Sequence, residues 1–299
     1  MVLQIQSVIY GNEKSSLLKA IKAIKQAAAV YHKRRHAMEV RLVYGDASPN
    51  SVFSESDVQE IQDYLTDTVH FDYRVFGFNS GTAKGHNLMG MESESDYMMI
   101  MNPDVILEPQ CIVKLMDALQ DNEVGMAEAR QTPLEHAKEY DKKTGETEWA
   151  STACTIFKTS IFKEIGGFDA DTFFLYCDDL DFSWRLRLAG YKIQYVPSAI
   201  AYHAKTLSID GTWTPTGAEI YYSAEAAILL AYKWSNTQRA EYLSKQFQNH
   251  GGASEKKAAE EYERRKSQNH LPRQLDPEHH VARFLKDDYC EMRFYFQGE

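Results

Sequence analysis

Asp178, Asp179 and Asp181 place three carboxylates within four positions, one residue after the aromatic run Phe173-Phe174-Leu175-Tyr176. Acidic residues at a helix start are stabilising caps. Three of them exceed what a cap requires, and their mutual repulsion costs energy. A cation, a basic partner such as Arg185, or a proton retained on one carboxylate would offset it. A second acidic position, Asp104, closes the turn Asn102-Pro103-Asp104 just after a continuous apolar run. A third, Asp46, sits in Gly45-Asp46-Ala47-Ser48-Pro49-Asn50, which is dense turn chemistry. His203 follows the strand-like stretch Ser198 to Tyr202. Between Gly77 and Gly90 the chain is glycine-rich and carries Asn79, Lys84 and His86. That stretch lacks both the dinucleotide fingerprint and the Walker ending. It reads as a strand–helix turn packed through its glycines, or as a helix N-terminus offering N–H groups and Lys84 to a polar ligand.

The elements that must position these residues follow from periodicity. Met1 to Tyr10 alternates like a strand and breaks at Gly11-Asn12. Leu17, Ile21, Ile24, Ala28 and Tyr31 recur at helical spacing. Glu39 to Tyr44 is a second strand. Val58, Ile61 and Leu65 mark a second helix, Val69 to Phe78 a third strand, and Thr82 to Met91 a third helix. Tyr97 to Met101 is uniformly apolar, as in a strand buried on both faces. A helix from Pro109 to Leu119 follows. Such alternation predicts an α/β fold with a mainly parallel central sheet flanked by helices. Ligands of such sheets bind beyond the carboxyl ends of the strands. The loops at Gly11, Asp46 and Asn102 therefore open on one side. Glu135 to Glu148 interrupts the rhythm as a hairpin or loop. Beyond about residue 217 the chain becomes helical, with segments near 217–234, 240–248 and 254–267.

Bulk composition narrows the classes. The 299 residues hold 33 Lys+Arg against 43 Asp+Glu, a formal net charge of −10. That field repels nucleic acid, so no nucleic-acid partner is expected. No stretch approaches the roughly 20 apolar residues of a membrane span. The N-terminus lacks the pattern of a signal peptide. Cys111, Cys154, Cys177 and Cys290 are far apart and read as reduced thiols. A cytoplasmic protein is expected, with peripheral attachment at the inner face of the cell membrane left open. Phe294 to Glu299 resembles the remnant of a cleavable tag.

The order of these features carries more than any one of them. Asp46-x-Ser48, Asn102-Pro103-Asp104, Ile165-Gly166-Gly167-Phe168-Asp169, Phe174-x-Tyr176, Asp178-Asp179-x-Asp181, Arg185, Gly190-Tyr191 and His203 follow one another along the chain. This series resembles the family 2 glycosyltransferases of the GT-A fold, over roughly residues 4 to 205. The form Asn102-Pro103-Asp104, with Asn102 in place of the first aspartate of the usual Asp-x-Asp, is similar to the rhamnosyltransferase-like branch. The resemblance implies a GT-A domain over 1–212, a helical region over 213–292 and a tail over 293–299.

It also implies roles. Asp46 would hold the nucleotide base, with Tyr10 and Asn79 beside base and ribose and Lys84 a further candidate. Asp104 and His203 would bind a divalent metal, Mg²⁺ or Mn²⁺, with Asn102 adjacent. Asp179 would be the general base, with Asp178 at the family's Glu position. Asp181 and Arg185 would support it, and Trp149 would line the sugar or acceptor pocket. Thr206 to Pro215 would be the segment that closes over the donor. The implied reaction is inverting transfer from a nucleotide-diphosphate sugar, dTDP-rhamnose first and UDP-hexose next. The acceptor would be a bacterial surface polysaccharide or a lipid-linked glycan, and a homodimer is left open. Two other readings share the core: a non-catalytic sugar- or nucleotide-binding subunit, and a sugar nucleotidyltransferase.

Overall fold

The computed structural model describes residues 1–35, 39–65, 69–133, 138–203 and 215–284. Strand β1 (Val2–Ile9) leads through helix α1 (Lys14–Arg35) to β2 (Glu39–Asp46). Helix α2 (Glu55–Leu65), β3 (His70–Val75), α3 (Gly81–Gly90) and β4 (Tyr97–Met101) follow. These four strands pair in parallel in the order β3-β2-β1-β4. The helical spacing read from α1 is the buried stripe: Leu17, Ile21, Ile24, Ala28 and Tyr31 all pack inside. Strand β4 is buried on both faces, and its alternation divides the interior. Met99 and Met101 join the core shared with α1 and α4, while Met98 and Ile100 join the core of the opposite face.

The second half is mixed rather than parallel. It comprises β5 (Val105–Leu107), α4 (Cys111–Ala118), β6 (Val124–Thr132), β7 (Glu146–Thr147), β8 (Cys154–Lys158), α5 (Thr159–Ile165), α6 (Asp178–Leu188) and β9 (Lys192–His203). The sheet runs β3-β2-β1-β4-β8-β6-β9-β5, with β7 on β9. Strand β8 is antiparallel to both β4 and β6, and β5 and β7 are antiparallel to β9. Only β6 and β9 are parallel here. The expectation of a mainly parallel sheet holds for the first half alone. Antiparallel neighbours need no crossover helix, so the strand–helix rhythm stops where they begin. The charged interruption is a hairpin in its described part: Tyr140 bridges Thr147 antiparallel.

Three further helices follow: α7 (Gly217–Lys233), α8 (Thr237–His250) and α9 (Ala253–Ser267). They share one apolar cluster with α6 and the loop before it. Trp184 of α6 meets Trp234 edge-on at 5.3 Å, and Phe173, Leu180 and Trp149 join them. The expected boundary at 212/213, the closing segment up to residue 214 and the tail lie outside the described residues. Among the described residues no helix is long and apolar enough to cross a membrane.

Candidate active site

Three of the expected positions meet directly at the carboxyl end of the sheet. Asn102 follows β4, and its backbone N–H donates to the Ala153 carbonyl at 2.9 Å, which pins the turn beside β8. The turn leads into β5, where Val105 pairs with His203, the last residue of β9. The register brings the side chains together. His203 Nε2 lies 3.3 Å from Asn102 Nδ2 and 3.4 Å from Asp104 Oδ2. On its other side, His203 Nδ1 lies 3.2 Å from Gln131 Oε1 of β6. His203 is buried, while the Asp104 side chain keeps a third of its surface in solvent.

The acidic motif opens α6. Asp178 turns inward and accepts from Thr82 Oγ1 of α3 at 3.0 Å. Burial and the adjacent Asp179 charge push its carboxyl up to about 7, against the pull of the Thr82 hydrogen bond. Asp179 stays half-buried, and in the first turn of α6 its carboxylate accepts from the Leu180 N–H at 2.8 Å. The backbone leading in is strained. Tyr176 and Cys177 both have positive φ, 67° and 55°, a region that costs a non-glycine residue about 1–2 kcal/mol. Such strain persists only where neighbours over-determine it. Here α3 does: Gly81 and Thr82 press against Phe174, whose carbonyl accepts from the Thr82 N–H at 3.1 Å. Gly81 has φ +64°, and a Cβ there would meet the Phe174 carbonyl oxygen at 2.3 Å. The glycine-rich segment thus supports the acidic motif through close packing.

The base-side residues lie at the ends of β1 and β2. Tyr10 is more than half exposed. Asp46 is fully buried and accepts from the N–H groups of Ser48 and Val52, each at 2.8 Å, and from the Tyr73 hydroxyl. Burial works against its charge, but these bonds hold its pKa below the ordinary value. Its carboxylate therefore builds its own loop. Ser48 Oγ accepts from the Gly11 N–H at 2.9 Å and ties that loop to the end of β1. Asn79 and Lys84 are exposed. Asn79 Oδ1 accepts from the Gly81 N–H at 3.2 Å, and Lys84 Nζ sits 5.0 Å from the Phe78 ring centre.

Three more of the expected residues make contacts in the interior. Asp181 is fully buried beneath α6 and accepts from Arg185 Nε at 2.8 Å and Trp234 Nε1 at 3.1 Å, with Lys233 Nζ at 2.6 Å. Arg185 also donates to the carbonyls of Ile165 and Gly167, at 2.9 and 2.7 Å, fixing the Gly-Gly turn. Both are joints between α6 and its neighbours. Trp149 is buried, and its ring carries the Lys138 ammonium 4.1 Å from its centre.

Sequence reasoning missed Glu128 and Gln131 on β6. Glu128 pairs with Lys138, both side chains 2 % exposed. Burial pushes it up to about 7 despite that partner, and the Asp179 charge adds to the rise. The signal was a single carboxylate inside the buried stretch Val124-Gly125-Met126-Ala127-Glu128-Ala129.

The described residues contain no group of three or more His, Cys, Asp or Glu around one point. Asp104 and His203 are a pair, one carboxylate oxygen and one imidazole nitrogen. Their 3.4 Å separation suits two neighbouring ligands of one divalent ion.

No family model matches the chain. A 60-residue segment is 42 % identical to N-acetylglucosaminyl-diphospho-decaprenol L-rhamnosyltransferase of Mycobacterium tuberculosis, covering 20 % of this chain and 19 % of the relative. A 56-residue segment is 38 % identical to rhamnosyltransferase WbbL of Escherichia coli, covering 19 % and 21 %. The matches thus span about a fifth of each relative. Among solved structures, mannosyltransferase PcManGT of Pyrobaculum calidifontis, in complex with GDP-Man and Mn²⁺, superposes with a TM-score of 0.58 at 14 % identity. That superposition covers 89 % of this chain and 75 % of the mannosyltransferase. The fold is that of the GT-A glycosyltransferases, as the ordered motifs imply.

Proposed function

We propose that this chain, a rhamnosyltransferase-like protein of the GT-A fold, is an inverting glycosyltransferase acting on cell-surface glycans. The supporting observation is the convergence of Asn102, Asp104 and His203 at the carboxyl end of the sheet, where such folds bind ligands. The Asp178-Asp179 pair opens the helix that also borders this end.

In this reading Asp179 accepts the proton of the acceptor hydroxyl as its oxygen attacks the anomeric carbon. The new C–O bond forms as the bond to the nucleoside diphosphate breaks, with inversion in one displacement. An alcohol is a poor nucleophile at neutral pH, and a positioned base contributes about 10²–10⁴-fold. Burial and the Asp179 charge favour the protonated form of Asp178, which biases the acidic pair toward a single charge. The loops of Asp46 and Tyr10 form the nucleoside side, with Asn79 and Lys84 at its edge. Asp104 and His203 would hold the divalent cation. When bound, that cation neutralises charge on the leaving diphosphate. The donor is dTDP-rhamnose first and a UDP-hexose second, and the acceptor is a glycan or a lipid-linked glycan.

The test is a panel of dTDP-rhamnose, UDP-glucose, UDP-galactose, UDP-GlcNAc and free nucleotides, read by thermal shift with and without Mn²⁺. A selective, metal-assisted rise in unfolding temperature is expected, followed by release of nucleoside diphosphate once acceptor is added. Donor binding without turnover under any acceptor or metal condition would favour the binding-subunit reading. Release of pyrophosphate from a nucleoside triphosphate would favour nucleotidyl transfer.

A further inference from the structure

A buried chain of polar groups runs from the interior to His203. Lys138 and Glu128 form an ion pair shut off from solvent, with the ammonium on Glu128 Oε2 and over the Trp149 ring. The other oxygen, Glu128 Oε1, faces Gln131 Nε2 at 3.4 Å. Gln131 Oε1 then faces His203 Nδ1 at 3.2 Å, and Asn102 Nδ2 faces His203 Nε2 at 3.3 Å.

We infer that Glu128 and Gln131 are positioning residues that set the tautomer of His203, holding its proton on Nδ1 and leaving Nε2, beside Asp104, unprotonated.

An amide by itself does not choose which end it shows an imidazole, because oxygen and nitrogen are nearly interchangeable in shape. A carboxylate removes the choice. With the Lys138 ammonium on one oxygen, the other can only accept, so the amide turns its NH₂ group toward Glu128. Its carbonyl oxygen then faces His203, and a carbonyl only accepts. Nδ1 must therefore carry the hydrogen. The far side of the ring does not decide: the Asn102 NH₂ group donates to an unprotonated Nε2, whereas the Asp104 carboxylate, 3.4 Å from the same atom, would accept from a protonated one. The choice therefore falls to β6. In the tautomer so selected, Nε2 is the atom beside Asp104 and has the lone pair a cation requires.

The use of this lone pair rests on His203 holding the metal, as proposed above; the tautomer does not. The experiment is ¹⁵N NMR of the imidazole nitrogens in the metal-free full chain at pH 8.5, with His203 identified by the signals lost in His203→Ala. A protonated Nδ1 and an unprotonated Nε2 are expected. Gln131→Leu should give a mixture of tautomers and weaken Mn²⁺ binding about 10–100-fold. The exchanged pair Glu128→Gln with Gln131→Glu should restore a single Nδ1–H tautomer, because its acceptor again faces the ring. An Nε2–H tautomer in the unaltered protein overturns the inference with no variant needed. A Gln131→Leu protein with an unchanged tautomer overturns it too. If the tautomer is as stated but His203→Ala binds Mn²⁺ as tightly as before, the positioning stands and the metal assignment fails.

Discussion

Lys233, at the end of α7, lies 2.6 Å from Asp181 of α6 in the interior, where the two side chains are 6 % and 0 % exposed. The same lysine reaches Asp169 at 2.7 Å, and Trp234 and Arg185 complete the shell of Asp181. One aspartate thus joins α6 to the C-terminal helices. Asp181→Ala would leave Arg185 and Lys233 short of a partner in a buried site. Removing one member of such a pair costs about 3–5 kcal/mol. Urea unfolding should show the midpoint falling accordingly, while the folded fraction at low temperature keeps its nucleotide affinity. An unchanged midpoint would mean that the joint carries no stability.

Asp179→Asn should do the opposite. Its carboxylate is half-buried and accepts from the Leu180 N–H in the first turn of α6, a bond an amide oxygen also makes. The unfolding midpoint should stay within about 0.5 kcal/mol of the parent, as for substitutions that keep such a bond and bury nothing new. Transfer should fall about 10²–10⁴-fold with donor affinity unchanged. A variant that turns over normally would remove Asp179 from the base role. Assays of kcat beside donor Kd separate the two outcomes.

The pH dependence of stability follows from Asp178 and Glu128. Both are pushed up to about 7, chiefly by burial, from ordinary values near 4. Between those limits the native chain keeps protons that the unfolded chain has released. Stability therefore falls as pH rises from about 4 to about 7, by about 1.4 kcal/mol per pH unit for each retained proton. Asp46 and Asp169 are shifted downward, so their contributions are lost only below the ordinary aspartate value. Asp178→Asn keeps an acceptor for Thr82 and removes one titration. It should flatten the slope of urea stability between pH 5 and 7 and exceed the parent at pH 8. An unchanged slope would mean that Asp178 is already ionised in the native protein.

What the sequence made legible was local. The stripe of α1, the two-sided burial of β4 and the turns at Asp46 and Asn102 follow from period and turn chemistry, and all stand in the fold. The meeting of Asp104 with His203 was legible only through the order of motifs, because the β5–β9 register that creates it leaves no periodic trace. Strand β5 has three residues, too few to show alternation. The further partners of Asp181 were illegible for a related reason. A carboxylate next to a catalytic motif reads as part of it, and nothing local says that Lys233 and Trp234 arrive from another element to claim it. Gln131 carried no signal, since a glutamine on a strand is ordinary until its neighbours across the sheet are known.

Asn102 offers the last test. Its amide nitrogen faces His203 Nε2, and the proposed cation-holding set is one carboxylate and one imidazole where the usual Asp-x-Asp would supply a second acid. Charge count among the ligands tunes affinity for hard divalent ions. Asn102→Asp should therefore tighten Mn²⁺ binding about tenfold, equivalent to about 1.4 kcal/mol. The metal-free variant should lose stability, because it adds an uncompensated carboxylate beside Asp104 and removes the donor to Nε2. Mn²⁺ should then raise its unfolding temperature more than it raises the parent's, and chelation with EDTA should reverse the gain. Calorimetric titration and thermal unfolding of both proteins, with and without chelator, give the comparison. If the variant binds Mn²⁺ no better than the parent, the ion does not sit between Asp104 and His203.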